Sequence, residues 1–182
     1  MRVALFGGSF NPPHVAHQMV ALYVLETTPV NELWFVPAFQ HAFDKPLEAF
    51  ADRHRMCELA ASALGPRARV SDIEARLGGP SRTLKTVEKL IQEHPDTAFS
   101  LVVGSDLVSE IDTWYGAATL RQLVPFIIVG RGGGDASVQM PAISSTEIRA
   151  ALEAGRDATS WVPKSVLDYI TSRGLYGSRQ TP

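Results

Sequence analysis

Two histidines stand three residues apart in GGSFNPPHVAH, the stretch from Gly7 to His17, directly behind a short apolar run and an Asn-Pro-Pro turn. A glycine-rich turn entering a helix offers free backbone N–H groups and the positive helix end, and both attract anions. Residues i and i+3 project from one helix face, so the imidazoles of His14 and His17 could donate to the same polyphosphate. Half of a zinc site, or an ordinary surface pair, would use the same spacing. No third Cys, His or carboxylate follows at ligand spacing to complete a zinc site.

A second element in the other half of the chain complements the first. In PAISSTEIRAAL, residues 141–152, Ser144 or Ser145 is a good N-cap, and Arg149 falls in the first two turns of the helix that follows. A cation near the positive end of a helix is electrostatically unfavourable unless an anion sits there. Polyphosphate is the natural guest. Other phosphate motifs are excluded by spacing. There is no G-x-G-x-x-G, the second strand ends in Phe-Val-Pro where a dinucleotide site wants an acid, and no G-K-[ST] follows the glycines.

Elements that position these residues read as follows. Val3–Phe6 is a buried strand. Ala16, Met19, Val20, Tyr23 and Val24 form an inward stripe on a helix from about His14 to Glu26. Glu32–Val36 is the second strand, followed by a long loop and a helix over Asp52–Leu64 that turns Met56, Cys57, Ala60 and Leu64 inward. Arg69–Ile73 is a short third strand. Leu84, Val87, Leu90 and Ile91 mark a third helix, ending near Pro95. Ala98–Val103 and Leu123–Gly130 are further strands, with loops behind each. Two helices close the chain, Ser145–Ala154 and Pro163–Arg173, the second capped by Gly174.

Strands alternating with helices imply parallel strands joined by right-handed crossovers, hence an α/β, doubly wound, mostly parallel sheet with helices on both faces. The expectation is a single domain over residues 1–182, with a C-terminal helical segment at 144–176. Ligands of such sheets bind beyond the carboxyl ends of the strands, where strand order reverses. This selects Gly7–His17, Pro37–Pro46, Gly104–Tyr115 and Arg131–Pro141.

Composition narrows the function classes. Seventeen basic against 19 acidic side chains give no broad nucleic-acid-binding face, so an anionic ligand must be held locally. One cysteine allows no internal disulfide. No stretch approaches the roughly 20 apolar residues that span a bilayer, and the start lacks a basic region ahead of an apolar one, so a cytoplasmic protein without a membrane partner is expected. The sequence leaves self-association open.

GGSFNPPHVAH and ISSTEIR, in this order, resemble the nucleotidyltransferases of the nicotinate (nicotinamide) mononucleotide adenylyltransferase family. The resemblance runs from Val3 through Thr113-Trp114-Tyr115 to the closing LDYITSRGLY. Ala16 stands where the family usually has glycine, HAFDK at 41–45 replaces a common Pro-Pro-His-Lys run, and Arg82 takes a place commonly held by an aromatic. The implied fold is Rossmann-like, and the implied reaction is adenylyl transfer from ATP to nicotinate mononucleotide, a step of NAD biosynthesis. Adenylyl transfer to phosphopantetheine, cytidylyl transfer, a dinucleotide-dependent oxidoreductase and a noncatalytic nucleotide sensor are the rivals.

The resemblance assigns roles. His14, His17 and Arg149 are the catalytic candidates, acting as donors to the triphosphate, with the helix start Ser144, Ser145 and Thr146 at its β- and γ-groups. The backbone of Gly7, Gly8, Ser9 and Phe10, with Gly104, completes the nucleotide clamp. Asp106 reaches a ribose unless it is only a turn residue. Mg²⁺ bridges phosphate oxygens, mostly through water, with no protein ligand. Trp114, with Tyr115, stacks on the pyridine unless it plugs the core. Ser81, Arg82 and Thr83 open a helix whose N–H groups could bind the carboxylate, and Arg82 either pairs with that carboxylate or points to solvent. Lys45, His41 and Arg131 are candidates for the mononucleotide phosphate.

Overall fold

The computed structural model describes residues 1–40, 47–131 and 138–178, with Arg131 described through its backbone alone. Six parallel strands form one sheet in the order β3-β2-β1-β4-β5-β6, where β1 is Arg2–Gly8, β2 Glu32–Pro37, β3 Ala68–Val70, β4 Ala98–Gly104, β5 Phe126–Arg131 and β6 Gln139–Met140. The chain leaves β1 toward β2 on one side and later returns to β4 on the other. The order therefore reverses beside β1, and the carboxyl ends of β1 and β4, at Gly7-Gly8 and Gly104, border the crevice where such sheets bind ligands.

Alternation along the strands divides the core. Val3 and Leu5 of β1 join Phe99, Leu101 and Val103 of β4 on one face, beneath α4 (Thr83–Glu93), α5 (Ala117–Leu123) and the 3₁₀ helix Ser105–Thr113. Ala4 of β1, Leu33 and Phe35 of β2 and Val102 of β4 face the other way, against α1 (Val15–Thr27) and α2 (Phe50–Ser62). Helices on both faces and an all-parallel sheet make the fold doubly wound, as the alternation of elements implies. A third apolar cluster lies outside α2, where Met56 and Ala60 meet Ile148 and Leu152 of α6 (Ser145–Glu153) and Val166 and Ile170 of α7 (Lys164–Arg173). The C-terminal helices are thus docked on α2. Among the described residues no helix is long and apolar enough to cross a membrane.

Several boundaries differ from the sequence reading, each for a local reason. The third strand spans Ala68–Val70, and Ile73 instead begins a short helix, α3 (Ile73–Leu77), on which Ile73 is fully buried. Leu123 ends α5, with 41% of its surface exposed, and the strand starts only after Pro125, which has no N–H for a ladder and accepts from Leu101 through its carbonyl. The inward stripe of α1 runs through Ala21, Val24 and Leu25, while Met19 is exposed; an all-round apolar helix hides which face is buried. The segment read as a loop after β4 is a nine-residue 3₁₀ helix. Gly174 does cap α7, in a left-handed conformation at φ 63°.

Gly116 opens α5 at φ +67°, and a Cβ there would overlap Cδ2 of buried Leu84. Gly116→Ala should lower stability by about 1–3 kcal/mol in chemical denaturation, from left-handed strain and overpacking. A wild-type unfolding midpoint would show that Leu84 repacks at no cost.

Candidate active site

The turn after β1 is built by residues that use up its carbonyls. Gly8 O accepts from Ala38 N–H at 2.9 Å, Ser9 O from Arg53 Nη1 at 2.9 Å, Asn11 O from Arg149 Nη1 at 2.7 Å and Pro12 O from Ser145 Oγ at 2.9 Å. Donors from the residue after β2, from α2 and from α6 therefore engage the carbonyls of residues 8, 9, 11 and 12, whose lone pairs would otherwise repel an arriving anion. The Asn11 side chain is equally committed, with Oδ1 accepting from Glu48 N–H at 3.2 Å and from the Tyr176 hydroxyl at 2.8 Å. Burial and the nearby Glu48 carboxylate keep that hydroxyl protonated, well above the usual phenol range.

Phe10 takes φ +46°, uncommon for a bulky side chain. Its ring is 2% exposed and packs 5.5 Å from both Phe6 and Phe35, and 4.9 Å from the imidazole of His17. Only the backbone of Phe10 can serve a nucleotide. Gly7 is exposed, and a Cβ there would meet no atom within 4 Å, whereas one on Gly8 would come within 3.1 Å of the Phe10 ring. The cleft side of Gly7 is open for backbone approach.

The two histidines form one unit, differently from two rings on a helix face. His14 is the N-cap of α1 and His17 its third residue, and the His17 ring reaches back to cap the His14 backbone N–H. Their rings stack at 3.7 Å with an interplanar angle of 24°. His14 is 1% exposed, and His17 is half-buried. The His14 N–H donates to His17 Nδ1 at 3.1 Å, so the proton of the neutral His17 ring belongs to Nε2. The capping bond selects a tautomer that donates from Nε2.

At the start of α6, Ser144 caps the helix by accepting from Thr146 N–H at 3.2 Å. Ser145 and Arg149 carry the bonds to Pro12 and Asn11, and Arg149 Nη2 also donates to Thr146 Oγ1 at 3.3 Å. The two motifs, more than 130 residues apart in sequence, therefore meet at the crevice. A guanidinium has five N–H donors, so these two bonds do not exhaust Arg149.

On the far side of the site, Gly104 ends β4, and Asp106 is exposed on the 3₁₀ helix. Trp114 is half-buried against the core, and Tyr115 is exposed, with the Arg82 guanidinium 5.7 Å from its ring centroid. Arg82 is the N-cap of α4 and Thr83 its first residue. Ser81 Oγ accepts from Phe39 N–H at 2.9 Å, which fixes this helix start to the segment after β2. Lys45 and His41 lie outside the described residues, as does the side chain of Arg131. Among the described residues no cluster of three or more His, Cys, Asp or Glu side chains could hold a metal ion.

Arg53, Glu48 and Tyr176 are the contributors that pattern reading missed. Arg53 carries a charge inside a helix that reads as ordinary, and only the 1% exposure of its side chain reveals its place. Tyr176 lies in the closing LDYITSRGLY, whose aromatic end was the one available signal.

A parallel sheet of this order, with its switch-point crevice lined by a histidine-capped glycine turn and a second capped helix, defines a Rossmann-like nucleotidyltransferase. A family model described as cytidylyltransferase-like matches residues 5–151. A protein of Anaeromyxobacter dehalogenans named probable nicotinate-nucleotide adenylyltransferase is 46% identical over 180 residues, covering 96% of each chain. One of the same name from Myxococcus xanthus is 36% identical over 186 residues, covering 100% of this chain and 98% of its own. In fold, the chain is similar to a Plasmodium falciparum nicotinic acid mononucleotide adenylyltransferase complexed with NaAD, at TM-score 0.86 and 24% identity over 99% of each chain. The chain belongs to the cytidylyltransferase-like family, and within it to the family of the nicotinate-nucleotide adenylyltransferases.

Gly7→Ala should leave thermal stability unchanged, because its Cβ meets nothing, while raising the KM for a nucleotide substrate several-fold by closing the backbone approach. Steady-state kinetics alongside a thermal melt separates the two. A fall in stability with unchanged KM would place the nucleotide elsewhere.

Proposed function

We propose that this protein transfers the adenylyl group of ATP to nicotinate mononucleotide, giving nicotinate adenine dinucleotide and pyrophosphate, as a step of NAD biosynthesis. The observation that carries the reading is the pair of hydrogen bonds, Ser145 to Pro12 and Arg149 to Asn11, that closes two anion-attracting helix starts around one crevice. The relatives' names agree with it.

The chemistry asks little of a base. A phosphate monoester has a second pKa near ~6 and is largely dianionic at neutral pH, so the mononucleotide phosphate attacks the α-phosphorus without losing a proton to the protein. Catalysis rests on in-line positioning, with up to ~7–11 kcal/mol available in favourable intramolecular models, and on stabilising charge on the α-phosphate and the leaving pyrophosphate. His17 donates from Nε2. His14 holds it by stacking and by the capping bond, and adds its own donor to the triphosphate. The α6 start at Ser144–Thr146 and Arg149 take the β- and γ-groups. Mg²⁺, if bound with ATP, would offset charge on the phosphates, and no side chain of this protein is assigned to hold it. The backbone of Gly7–Phe10 and Gly104, with Asp106 at a ribose, completes the clamp.

The acceptor pyridine stacks on Trp114, beside Tyr115. Its carboxylate meets the α4 start at Arg82-Thr83, and the phosphate is drawn by Lys45, His41 and Arg131. A helix N-terminus favours an anion over a neutral amide by up to ~2 kcal/mol, roughly 30-fold. We place the protein in the cytoplasm.

Pyrophosphate should be released only when ATP and nicotinate mononucleotide are both present, and kcat/KM should be up to about 30-fold higher for the acid than for the amide. No pyrophosphate from the pair rejects the reaction, and equal efficiency rejects the carboxylate site. His17→Ala should lower kcat more than it raises the KM for ATP, and an unaltered kcat would remove His17 from the chemistry.

A further inference from the structure

Arg53 is a charged side chain with 1% exposure, and it takes part in no ion pair among the described residues. Burial lowers its pKa, the expected effect of removing a cation from water. Its guanidinium donates to three backbone carbonyls from three segments. Nη1 reaches Ser9 O at 2.9 Å, Nη2 reaches Phe39 O at 3.1 Å and Nε reaches Glu48 O at 2.9 Å. Phe50 lies 5.6 Å from the guanidinium carbon. An arginine whose purpose was helix packing alone would not need its whole fork pointed at turns. The planar, rigid spacing of those donors ties the three carbonyls to one another, and a lysine, with a single rotating ammonium, could not.

Two of these segments belong to different halves of the site. Ser9 lies in the turn that receives the nucleotide. Phe39 follows β2, and its N–H continues the connection to Ser81 Oγ, while the Ser81 N–H returns to Gln40 O at 3.1 Å. Thr83, the first residue of α4, is two positions beyond Ser81. A continuous series of hydrogen bonds therefore runs from the nucleotide turn, through Arg53 and Phe39, to the helix start that faces the acceptor.

We propose that Arg53 is a positioning residue that couples the two substrate half-sites, so that ATP and the mononucleotide each tighten the binding of the other. Ordering Ser9 on one side of the guanidinium orders Phe39 and the α4 start on the other, and the second ligand then meets a segment already fixed. Linkage requires the factor to be the same in both directions. The inference rests on the adenylyl-transfer reading for its assignment of half-sites.

Equilibrium titration of a nonhydrolysable ATP analogue, with and without saturating nicotinate mononucleotide, reads the coupling directly. Wild-type protein should bind the analogue about fivefold or more tightly when the mononucleotide is present, and the reverse titration should return the same factor. Arg53→Lys should bring that ratio to about one, a readout that a purely structural loss of stability does not move. A wild-type ratio of one, or a folded Arg53→Lys protein that keeps the wild-type ratio, overturns the proposal. Should Arg53→Lys fail to fold, hydrogen exchange on the wild type decides. The analogue alone should slow exchange at the amides of Phe39 and Ser81, and unchanged rates there reject the coupling. Pyrophosphate release by wild type, measured separately, tests the adenylyl-transfer reading, so the two can fail independently.

Discussion

The turn from Gly8 to Pro12 keeps its shape because donors from Ala38 just beyond β2, from α2 and from α6 bond four of its carbonyl oxygens. A peptide segment with this much proline and glycine has few internal bonds with which to hold one conformation. Each carbonyl that finds a donor both fixes the turn and has a lone pair occupied that would otherwise repel an anion. The histidine stack, the buried Phe10 ring and the exposed Gly7 all depend on this arrangement. Without it the glycine turn would be an ordinary loop.

The same constraint explains why the C-terminal helices cannot be treated as an appendage. Ile148, Leu152, Val166 and Ile170 bury themselves against Met56 and Ala60 of α2, and that packing delivers Ser145 and Arg149 to the turn. Tyr176 then reaches Asn11 across 165 residues of chain. Apolar burial supplies the free energy, and the hydrogen bonds specify the register. Such contacts close large loops, so the site is complete only when nearly the whole chain has folded.

Several side chains serve packing and site geometry at once. The imidazole of His17 is an edge of the aromatic cluster around Phe10, and its Nδ1 is part of a helix cap. Trp114 lies against the core. Rigid packing of this kind holds donors in place before a ligand arrives, so little reorganisation is needed when charge moves.

Much of this was legible in the residues themselves. Short apolar runs located β1, β2 and β4, period-3.6 stripes marked helices, and the order of GGSFNPPHVAH and ISSTEIR pointed to one phosphate site. Short elements were not legible: α3 and α5 span only a few residues, and β6 only Gln139–Met140, too few to show a period. The exposed Met19 was misplaced because α1 is apolar all round. What the sequence by itself determined is the chemistry on offer, since a glycine turn, two imidazoles and a capped helix bearing arginine follow from residue types and local spacing. The tertiary structure alone decided that the histidines stack, that Arg53 is buried among carbonyls and that Ser145 meets Pro12. Those depend on which donor a distant segment brings to a backbone acceptor, and no local pattern encodes that choice.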